Sequence, residues 1–453
     1  MCSIPKALEL IKGAHTDSIP PELIEQLCRQ LRHRWRDRDL GPVVTTHLFL
    51  QQVLNGNTAI AHLRRLSKVD FTDSAYCQAR IRLPLAFFQG LQRAVTDGLV
   101  AEDADRPETR WLGHRLFLLD GSSFSMPDTD ELRAHFGQPS GQAEGCGFPV
   151  AHLMALFDAK RGYLLEASAH PLNTHDLSQV PAMHQRLRPD DVLVGDRAFG
   201  SFAHLALCQQ QCLHGVFRAH QKQIVDFRPG RPHVMPGKRA AKGQRGLPHS
   251  RWLKSLGDRD QLVEYFKPKE CPEWMTSEQY EALPKSIVVR ELRYEVTRPG
   301  YRTRTVTLVT TLLDAEKYPA AELARVYGLR WQVETDLKHL KQTMKMDVLR
   351  CETVEGVQKE LAMFVVVYNL VRRVMEEAGR RQGVEPNRIS FVDAWRWLQE
   401  AKPGEKLPKL VVNPLRPGRV QPRVRKRRPK KYPLMKRPRA ELRKALFEKG
   451  DAA

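Results

Sequence analysis

The stretch from Ala321 to Arg350 constrains the fold of this chain most, because its apolar residues recur at steps of three and four. This is the period of an α-helix with one apolar face, so the stretch predicts one long helix. On a helical wheel the apolar residues form a continuous stripe. The stripe consists of Leu323, Val326, Leu329, Val333, Leu337, Leu340 and Met344.

Four polar residues of this helix fall within an arc of roughly 60° on another side. We call them the polar ridge: Tyr327, Arg330, Glu334 and Lys341. A carboxylate that holds a cation, next to basic groups that hold phosphate oxygens, suits a metal-bound phosphate. The alternative is a solvated helix face with ion pairs, such as Arg330 with Glu334.

Length and charge narrow the class of protein. The 453 residues predict two to four domains, and the net charge of +21 favours nucleic acid or an anionic membrane surface as partner. The longest apolar run, Leu361 to Val371, is too short to span a membrane and predicts a buried helix.

Cysteine usage indicates a reduced, cytosolic protein, because the eight cysteines contain no CxxC pair and no disulfide-like spacing. Cys208, Cys212 and His214 resemble half of a zinc site, but no second pair of ligands follows them.

Residues 1–105 are predicted to be helical. Helices are expected over 20–35, 43–55 and 59–66, and over a fourth segment that Thr72 or Asp73 caps and that stops before Pro84. With Gln78, Arg80 and Arg82 exposed, these helices suit a DNA reader of the helix-turn-helix kind. An ordinary helical bundle with a basic surface explains the pattern equally well. Residues 101–108 read as an acidic linker.

The next segment alternates strands with helices, which predicts an α/β core. Residues 115–120 and 191–196 are apolar strands that each end in an aspartate, Asp120 and Asp196, and a turn is expected after each. Strand-like runs at 261–266, 286–296 and 303–313 then predict a β-rich insertion, with a hairpin turn at Pro299 and Gly300.

Two further helices are expected at 354–378 and 391–399. Beyond them, the segment from Arg416 to Lys444 carries 14 Lys or Arg against one acid, Glu441. Such a tail is predicted to be extended when free and to bind phosphates in a salt-sensitive way.

Three carboxylates are candidate metal ligands: Asp120, Asp196 and Glu334. Mg²⁺ prefers carboxylate oxygen, and two ions about 4 Å apart activate a water and stabilise the leaving oxygen of a phosphodiester. The alternative for each aspartate is an Asx turn at a strand end.

Together these motifs resemble the DDE transposases of the bacterial insertion-sequence class that carries the signature Tyr-x2-Arg-x3-Glu-x6-Lys. The polar ridge matches the signature without a gap, and LFLLDGSS and VLVGDRAFGS resemble the two acidic motifs. The resemblance covers residues 110–375. It implies an α/β fold whose ribonuclease-H-like core is interrupted by a β-rich insertion, with a helical N-terminal domain and a helical, basic C-terminal region.

By this resemblance the expected boundaries follow the chain in order. They are 1–105 for a DNA-end-binding domain, 106–220 and 319–380 for the two parts of the core, 221–318 for the insertion, and 381–453 for the C-terminal segment and tail.

The resemblance also implies an activity. Asp120, Asp196 and Glu334 would be catalytic and hold two Mg²⁺ ions, with Mn²⁺ as a substitute, while Tyr327, Arg330 and Lys341 would bind DNA. A cut-and-paste transposase of this kind nicks transposon ends, passes through a hairpin and joins the 3′-OH to target DNA. The expected partners are double-stranded DNA ends and a second copy of the chain in a synaptic complex, in the bacterial cytoplasm at the nucleoid.

The match has one departure. A well-known relative of this class carries an aromatic residue on an insertion strand shortly before the signature helix, and this chain has Val306 near that place. The resemblance therefore gives less support to the hairpin step than to the three catalytic carboxylates. Two alternatives stay open: an inactive DNA-binding protein of the same fold, and a ribonuclease-H-like nuclease that joins nothing.

Overall fold

The computed structural model describes the chain over 19–36, 38–67, 69–101, 106–139, 143, 145–235, 246–296, 305–402, 404–415 and 437–450. The expected hairpin turn at Pro299 and Gly300 and most of the basic tail lie outside these residues, as does part of the expected linker.

The N-terminal part is helical, as the sequence predicts. Its helices are α1 (Pro21–Gln30), α2 (Pro42–Leu54), α3 (Ile60–Ser67), α4 (Asp73–Arg82) and α5 (Leu85–Ala101). Thr72 caps α4 by accepting a hydrogen bond from the Ala75 amide at 3.1 Å, as expected. The 17-residue helix α5 was not predicted individually.

The described residues contain one nine-stranded sheet in the order β3-β2-β1-β4-β5-β9-β8-β7-β6. Strands β1, β4 and β5 are parallel, and the other neighbouring pairs are antiparallel. The strands are β1 (Leu116–Ser125), β2 (Val150–Asp158), β3 (Leu164–Pro171), β4 (Val192–Gly195), β5 (His214–Arg218), β6 (Arg251–Gly257), β7 (Asp260–Phe266), β8 (Ser286–Glu295) and β9 (Thr305–Thr310). The later strands β6 to β9 thus continue the edge of β5 instead of forming a separate sheet.

The remaining helices of the described residues follow in chain order. They are α6 (Asp130–Phe136), α7 (Val180–His184), α8 (Phe202–Gln210), α9 (Ser277–Glu281), α10 (Ala320–Gly328), α11 (Arg330–Lys338), α12 (Val354–Gln382), α13 (Phe391–Glu400) and α14 (Arg439–Gly450). A 3₁₀ turn, Asp176–Gln179, directly precedes the short helix α7.

Helix α12 is the longest described helix and lies in the core. Thr353 caps its first turn through the Gly356 amide, and Gly383 follows it with a φ of 67°, the left-handed conformation in which glycine commonly ends helices. Its apolar face belongs to the same buried cluster as Phe87 of α5 and Leu118 of β1. The N-terminal helices and the sheet therefore share one hydrophobic core.

The predicted long helix of residues 321–350 is interrupted. It begins as α10, is interrupted by a turn at Leu329, continues as α11 and widens into a π-helical turn, His339–Thr343, with helical structure ending there. The expected end at Arg350 is therefore wrong by several residues. The apolar period continues past the helix because Met346 and Leu349 are buried in the loop that follows.

Arg80 is not the exposed residue that the sequence predicts. Its guanidinium lies 3.7 Å from the centre of the Phe49 ring and donates hydrogen bonds to Gln52 Oε1 at 3.4 Å and Cys351 Sγ at 3.0 Å. Gln78 and Arg82 are exposed, as expected. The helical period of α4 puts Arg80 on the face that packs inward, because Tyr76 and Ala79 are buried beside it.

None of the helices in the described ranges has the length and apolar character that crossing a membrane requires.

Candidate active site

Strands β1 and β4 place Asp120 and Asp196 side by side. The two strands are parallel with Leu118 opposite Val194, so the residues two positions further on, Asp120 and Asp196, are level. Neighbouring strands are about 4.8 Å apart. The parallel pairing ends before these positions because β4 stops at Gly195, and the two carboxylates line the opening that results.

Asp120 does not end its strand, contrary to the sequence prediction. Strand β1 runs on through Gly121, Ser122 and Ser123, which were expected to form a turn, as far as Ser125. The reason is that β2 pairs antiparallel with β1 along its whole outer half, up to Ser125 opposite Val150. Asp196 does follow its strand directly, as expected.

Each aspartate is oriented by a local hydrogen bond to Oδ1. The amide of Gly121 donates to Asp120 at 3.0 Å, and the amide of Ala198 donates to Asp196 at 2.7 Å. The second bond is the Asx turn that the sequence offered as an alternative role for Asp196. Asp196 therefore both forms an Asx turn and lies at the opening where β4 ends.

The polar ridge borders this opening. Arg330 lies between two carboxylates, with Nη1 3.8 Å from Asp120 Oδ2 and Nη2 3.6 Å from Glu334 Oε1. The helical ion pair between Arg330 and Glu334 is thus present, but it is part of a contact between α11 and β1. Glu334 keeps about half of its side chain exposed, so it borders the site on the solvent side.

Tyr327 and Lys341 complete the ridge from neighbouring turns. Tyr327 is buried at the end of α10, where it interacts with Arg330 and with the charge of Asp196. Lys341 lies in the π-helical turn and donates a hydrogen bond from Nζ to Ser122 Oγ at 3.1 Å. Despite the turn at Leu329 and the π-turn, all four ridge residues lie beside strands β1 and β4.

The pKa of Asp120 reflects its burial and the acidic side chains around it. Burial, with smaller contributions from Asp196 and Glu334, raises the pKa of Asp120 to about 6, although Arg330 and the Gly121 amide act in the opposite direction. Burial also lowers the pKa of Lys341 and raises that of Tyr327. Ionising the carboxylates together is therefore costly, and a divalent cation would relieve that cost.

The donor set fits hard cations, but not one tight three-ligand centre. Within the described part of the chain, two groups of three side chains have their ligand atoms all within 4.8 Å of one another, and neither group contains Asp120, Asp196 or Glu334. A site for two ions spreads its carboxylates over a wider space, because the ions themselves are about 4 Å apart. Arg330 takes up part of that space in this structure.

Three residues near the site were missed from the sequence. Ser122 contacts Lys341, and Arg218 and Tyr294 interact with Tyr327. Tyr294 of β8 pairs directly with Val306 of β9. The alternation of side chains along β8 and β9 could have suggested Tyr294, but only if the register of the two strands had been known.

Comparisons with known proteins find transposases. A family model described as the transposase DDE domain matches residues 111–370. The chain is 26% identical over 379 residues to the transposase InsG for insertion sequence element IS4 of Escherichia coli (strain K12), covering 80% of this chain and 78% of that protein. It is 29% identical over 129 residues to the putative transposase InsZ of the same organism, covering 28% of this chain and 42% of that one.

Among solved structures, the chain matches two transposase assemblies. The cryo-EM structure of the piggyBac transposase synaptic complex with hairpin DNA aligns with a TM-score of 0.40 at 10% identity, covering 88% of this chain and 80% of that chain. The crystal structure of a pre-cleavage Mos1 transpososome aligns with a TM-score of 0.14 at 9% identity, covering 47% and 75% respectively.

Proposed function

The chain belongs to the transposase DDE domain family, and we propose that it nicks the ends of a DNA element and joins the freed 3′-OH groups to target DNA. The observation that carries this proposal is the convergence of Asp120 and Asp196, level on neighbouring strands, with a helix that carries Arg330 and Glu334. These groups come from distant parts of the sequence and meet at one opening of the sheet.

We assign the strands β3-β2-β1-β4-β5 to a ribonuclease-H-like core. The order, with β1, β4 and β5 parallel and β2 and β3 antiparallel, supports this assignment. On this proposal residues 106–220 and 319–380 form the core, 221–318 are inserted into it, 1–105 recognise DNA ends, and 381–453 form the C-terminal segment. The shared hydrophobic core means that the N-terminal helices are fixed against the catalytic part.

Asp120, Asp196 and Glu334 would hold two Mg²⁺ ions, with Mn²⁺ as a substitute. When bound, the ions supply an activated water and stabilise the leaving oxygen of the phosphodiester. The three carboxylates orient the cut by fixing where the scissile phosphate can approach. Burial of Asp120 excludes water from one side of the site, which strengthens every charge interaction within it.

The basic side chains of the ridge would bind DNA around the cut. Arg330 presents a planar guanidinium that can form two parallel hydrogen bonds to a phosphate, and the buried Tyr327 lies beside it. Lys341 lies in the π-helical turn after α11 and donates a hydrogen bond to Ser122. This position would let it contact a phosphate next to the one that Arg330 binds. Turning Arg330 toward DNA would release the carboxylates of Asp120 and Glu334 for cations.

A hairpin intermediate needs a surface that supports an extruded base. Val306 is unsuited to this role because it is apolar, small and buried. Tyr294 lies directly across the strand pair from Val306 and is only partly buried, close to Tyr327 and Arg218. We propose that Tyr294 provides the stacking surface if this chain forms hairpin ends.

The partners of the proposed reaction are double-stranded DNA ends, target DNA and a second copy of the chain that holds the other end. The net charge of +21 supports binding to a polyanion, and the basic residues of 416–444 add phosphate contacts. A bacterial cytoplasmic protein at the nucleoid would meet these substrates.

The test is a cleavage assay on duplexes that carry the terminal sequences flanking the coding sequence. We expect wild type with Mg²⁺ to yield nicked ends and then joined product. Glu334→Gln should bind the same ends and cleave them at least about 1,000-fold more slowly, since it loses a metal-binding charge. Glu316→Gln, which changes an exposed glutamate elsewhere, is the matched control and should cleave normally.

Three results would contradict the proposal in different ways. Normal cleavage by Glu334→Gln would remove the assigned site. End binding without cleavage in any divalent cation would favour an inactive DNA-binding protein. Nicks without joined product, under conditions in which target DNA is present in excess, would favour a nuclease.

A further inference from the structure

A second cluster of ligand-type side chains lies on the helices that precede and follow strand β4. His184 ends helix α7, while His204 and Cys208 lie one turn apart on helix α8. One ring nitrogen of each histidine and the Sγ atom of Cys208 all lie within 4.8 Å of one another. His204 and Cys208 are fully buried and His184 is 5% exposed. We call this group the histidine–thiol cluster.

The hydrogen bonds of the two rings decide where their protons lie. His204 Nδ1 is 2.7 Å from the carbonyl oxygen of Phe199, which can only accept, so Nδ1 carries the hydrogen and Nε2 is a bare lone pair. His184 Nδ1 is 2.7 Å from Gln211 Oε1, which likewise accepts. Burial lowers the pKa of both histidines, to about 3 and about 4, so neither ring carries a second proton.

Two lone pairs therefore face each other. The Nε2 atoms of His184 and His204 are 3.1 Å apart, with no proton between them in this arrangement of bonds. Two ring nitrogens bound tetrahedrally to one zinc ion at 2.0–2.1 Å are about 3.4 Å apart, so a small relaxation accommodates an ion. Metal-bound histidines generally donate their other N–H to a carbonyl or similar acceptor, as both rings do here.

From this geometry we propose that His184, His204 and Cys208 bind one soft or borderline transition-metal cation, Zn²⁺ or Cu⁺. Two imidazoles and a thiol are the donors that such cations prefer over Mg²⁺. On binding, the S–H bond of Cys208 breaks, the sulfur binds the cation and the proton passes to solvent. No oxidation or reduction is involved.

The other candidate cluster does not offer the same chemistry. His114, Asp190 and His214 also lie close together. However, His114 Nδ1 is bonded to the Asp190 carbonyl and His114 Nε2 to the Tyr318 hydroxyl, both at 2.7–2.8 Å. The zinc half-site suggested by the sequence is thus divided: Cys208 joins the histidine–thiol cluster, His214 joins the other one, and Cys212 is exposed.

The position of the proposed site gives it a structural consequence. Phe199, which accepts the His204 bond, donates its amide to the carbonyl of Asp196 at 3.3 Å. A cation that joins α7 to α8 would therefore brace the turn that begins at Asp196. Binding should raise the melting temperature of the protein, because an ion that binds only the folded state stabilises it.

The test uses the full chain, stripped of metal under reducing conditions and held in excess Mg²⁺ so that the carboxylates are supplied with their own cation. Zn²⁺ and, separately, Cu⁺ are titrated against a chromophoric chelator, and Co²⁺ is used as a probe for a thiolate charge-transfer band. We expect one equivalent per wild-type chain, the band, and a raised melting temperature. Of the Zn²⁺ and Cu⁺ titrations, the one that gives the lower dissociation constant identifies the preferred cation.

Cys208→Ala removes the proposed thiolate, and affinity should fall by about 100-fold or more with loss of the Co²⁺ band. Cys212→Ser, a thiol four residues further on, is the matched control and should bind like wild type. Absence of a bound equivalent in wild type would overturn the proposal, even if the Cys208→Ala protein failed to fold. Loss of binding in Cys212→Ser but not in Cys208→Ala would also overturn it. Neither result depends on DNA cleavage.

Discussion

Arg330 Nη1 lies 3.8 Å from Asp120 Oδ2, across the gap between helix α11 and strand β1. The same guanidinium is 3.6 Å from Glu334, so one cationic side chain partly neutralises two of the three carboxylates. Arg330 and any divalent cation would therefore compete for the same oxygens. Changes at either Asp120 or Arg330 should alter the protonation of the site as well as its contacts with DNA.

We predict that Asp120→Asn stabilises the metal-free protein at neutral pH. The folded-state pKa of Asp120 is raised to about 6 from an ordinary 3.8, mainly by burial, so the folded protein holds this proton more tightly than the unfolded chain does. Ionised Asp120 thus costs stability above pH 6, and the cost disappears as pH falls towards 4. A shift of this size corresponds to about 1–3 kcal/mol in favour of the variant at pH 8.

Thermal or denaturant unfolding at pH 8 and pH 4.5, both without divalent cations, measures this difference. Asp258→Asn, in the exposed turn between β6 and β7, is the control and should show no comparable gain. A variant that is less stable than wild type at pH 8 would mean that the contact with Arg330 outweighs the burial of the charge.

Arg330→Gln should shift the pH dependence of DNA cleavage upward. Arg330 lowers the pKa of Asp120, and removing it leaves burial, Asp196 and Glu334, which all raise it. At pH values below the pKa, the ionised fraction of Asp120 falls about tenfold for each unit by which the pH is lowered. Metal binding needs the ionised form. The acidic limb of the cleavage profile should therefore move to higher pH, in addition to an overall loss of rate if the proposed contact of Arg330 with phosphate is removed.

Rate profiles under saturating and limiting Mg²⁺ separate these two effects. More Mg²⁺ should restore the acidic limb, because metal competes with protons, but it should not restore the contact of Arg330 with phosphate. An unchanged profile with a uniformly lower rate would show that Arg330 acts on DNA alone.

Tyr294→Ala should impair hairpin formation more than the first nick. The proposed role of Tyr294 is to stack on an extruded base, which the first strand cleavage does not require. The effect of removing one stacked aromatic is about 1–3 kcal/mol, or roughly 5- to 150-fold in the hairpin step. Tyr294→Phe keeps the ring and should retain most activity. Equal losses at both steps in a gel assay of intermediates would argue for a structural role instead.

Much of the candidate site follows from local patterns in the sequence. Buried parallel strands read as short apolar runs, and this made β4 and the position of Asp196 predictable. The helical period likewise predicted that Arg330 and Glu334 lie on one face. These features depend on residues close together in the chain, where sequence spacing is a good guide to geometry.

Features that depend on distant partners were not predictable in this way. Ser122 belongs to a strand only because β2 pairs with it, and a Gly-Ser-Ser run otherwise favours a turn. The burial of Arg80 depends on Phe49 and Cys351, which are far away in sequence. The facing lone pairs of His184 and His204 depend on the packing of α7 against α8, and no spacing rule relates them.

Arg80 and Arg82 lie two positions apart on helix α4, and substituting each by alanine should affect a different property. Arg80→Ala should lower stability, whereas Arg82→Ala should weaken DNA binding. Arg80 packs on Phe49 and donates to Gln52 and Cys351, so Arg80→Ala should destabilise the protein by about 2 kcal/mol or more, through lost packing and unpaired acceptors. Its effect on DNA affinity, measured well below the melting temperature, should be small.

Arg82 is exposed and lines a surface pocket together with Arg34, Arg36 and Arg38. A phosphate bound there would release counterions, so Arg82→Ala should weaken DNA binding and reduce the slope of log affinity against log salt by about one, with little change in melting temperature. Binding titrations at several salt concentrations, paired with thermal unfolding, measure both quantities for both variants. If Arg82→Ala left affinity and slope unchanged, the N-terminal helices would be a packing element of the core, and end recognition would have to lie elsewhere in the chain.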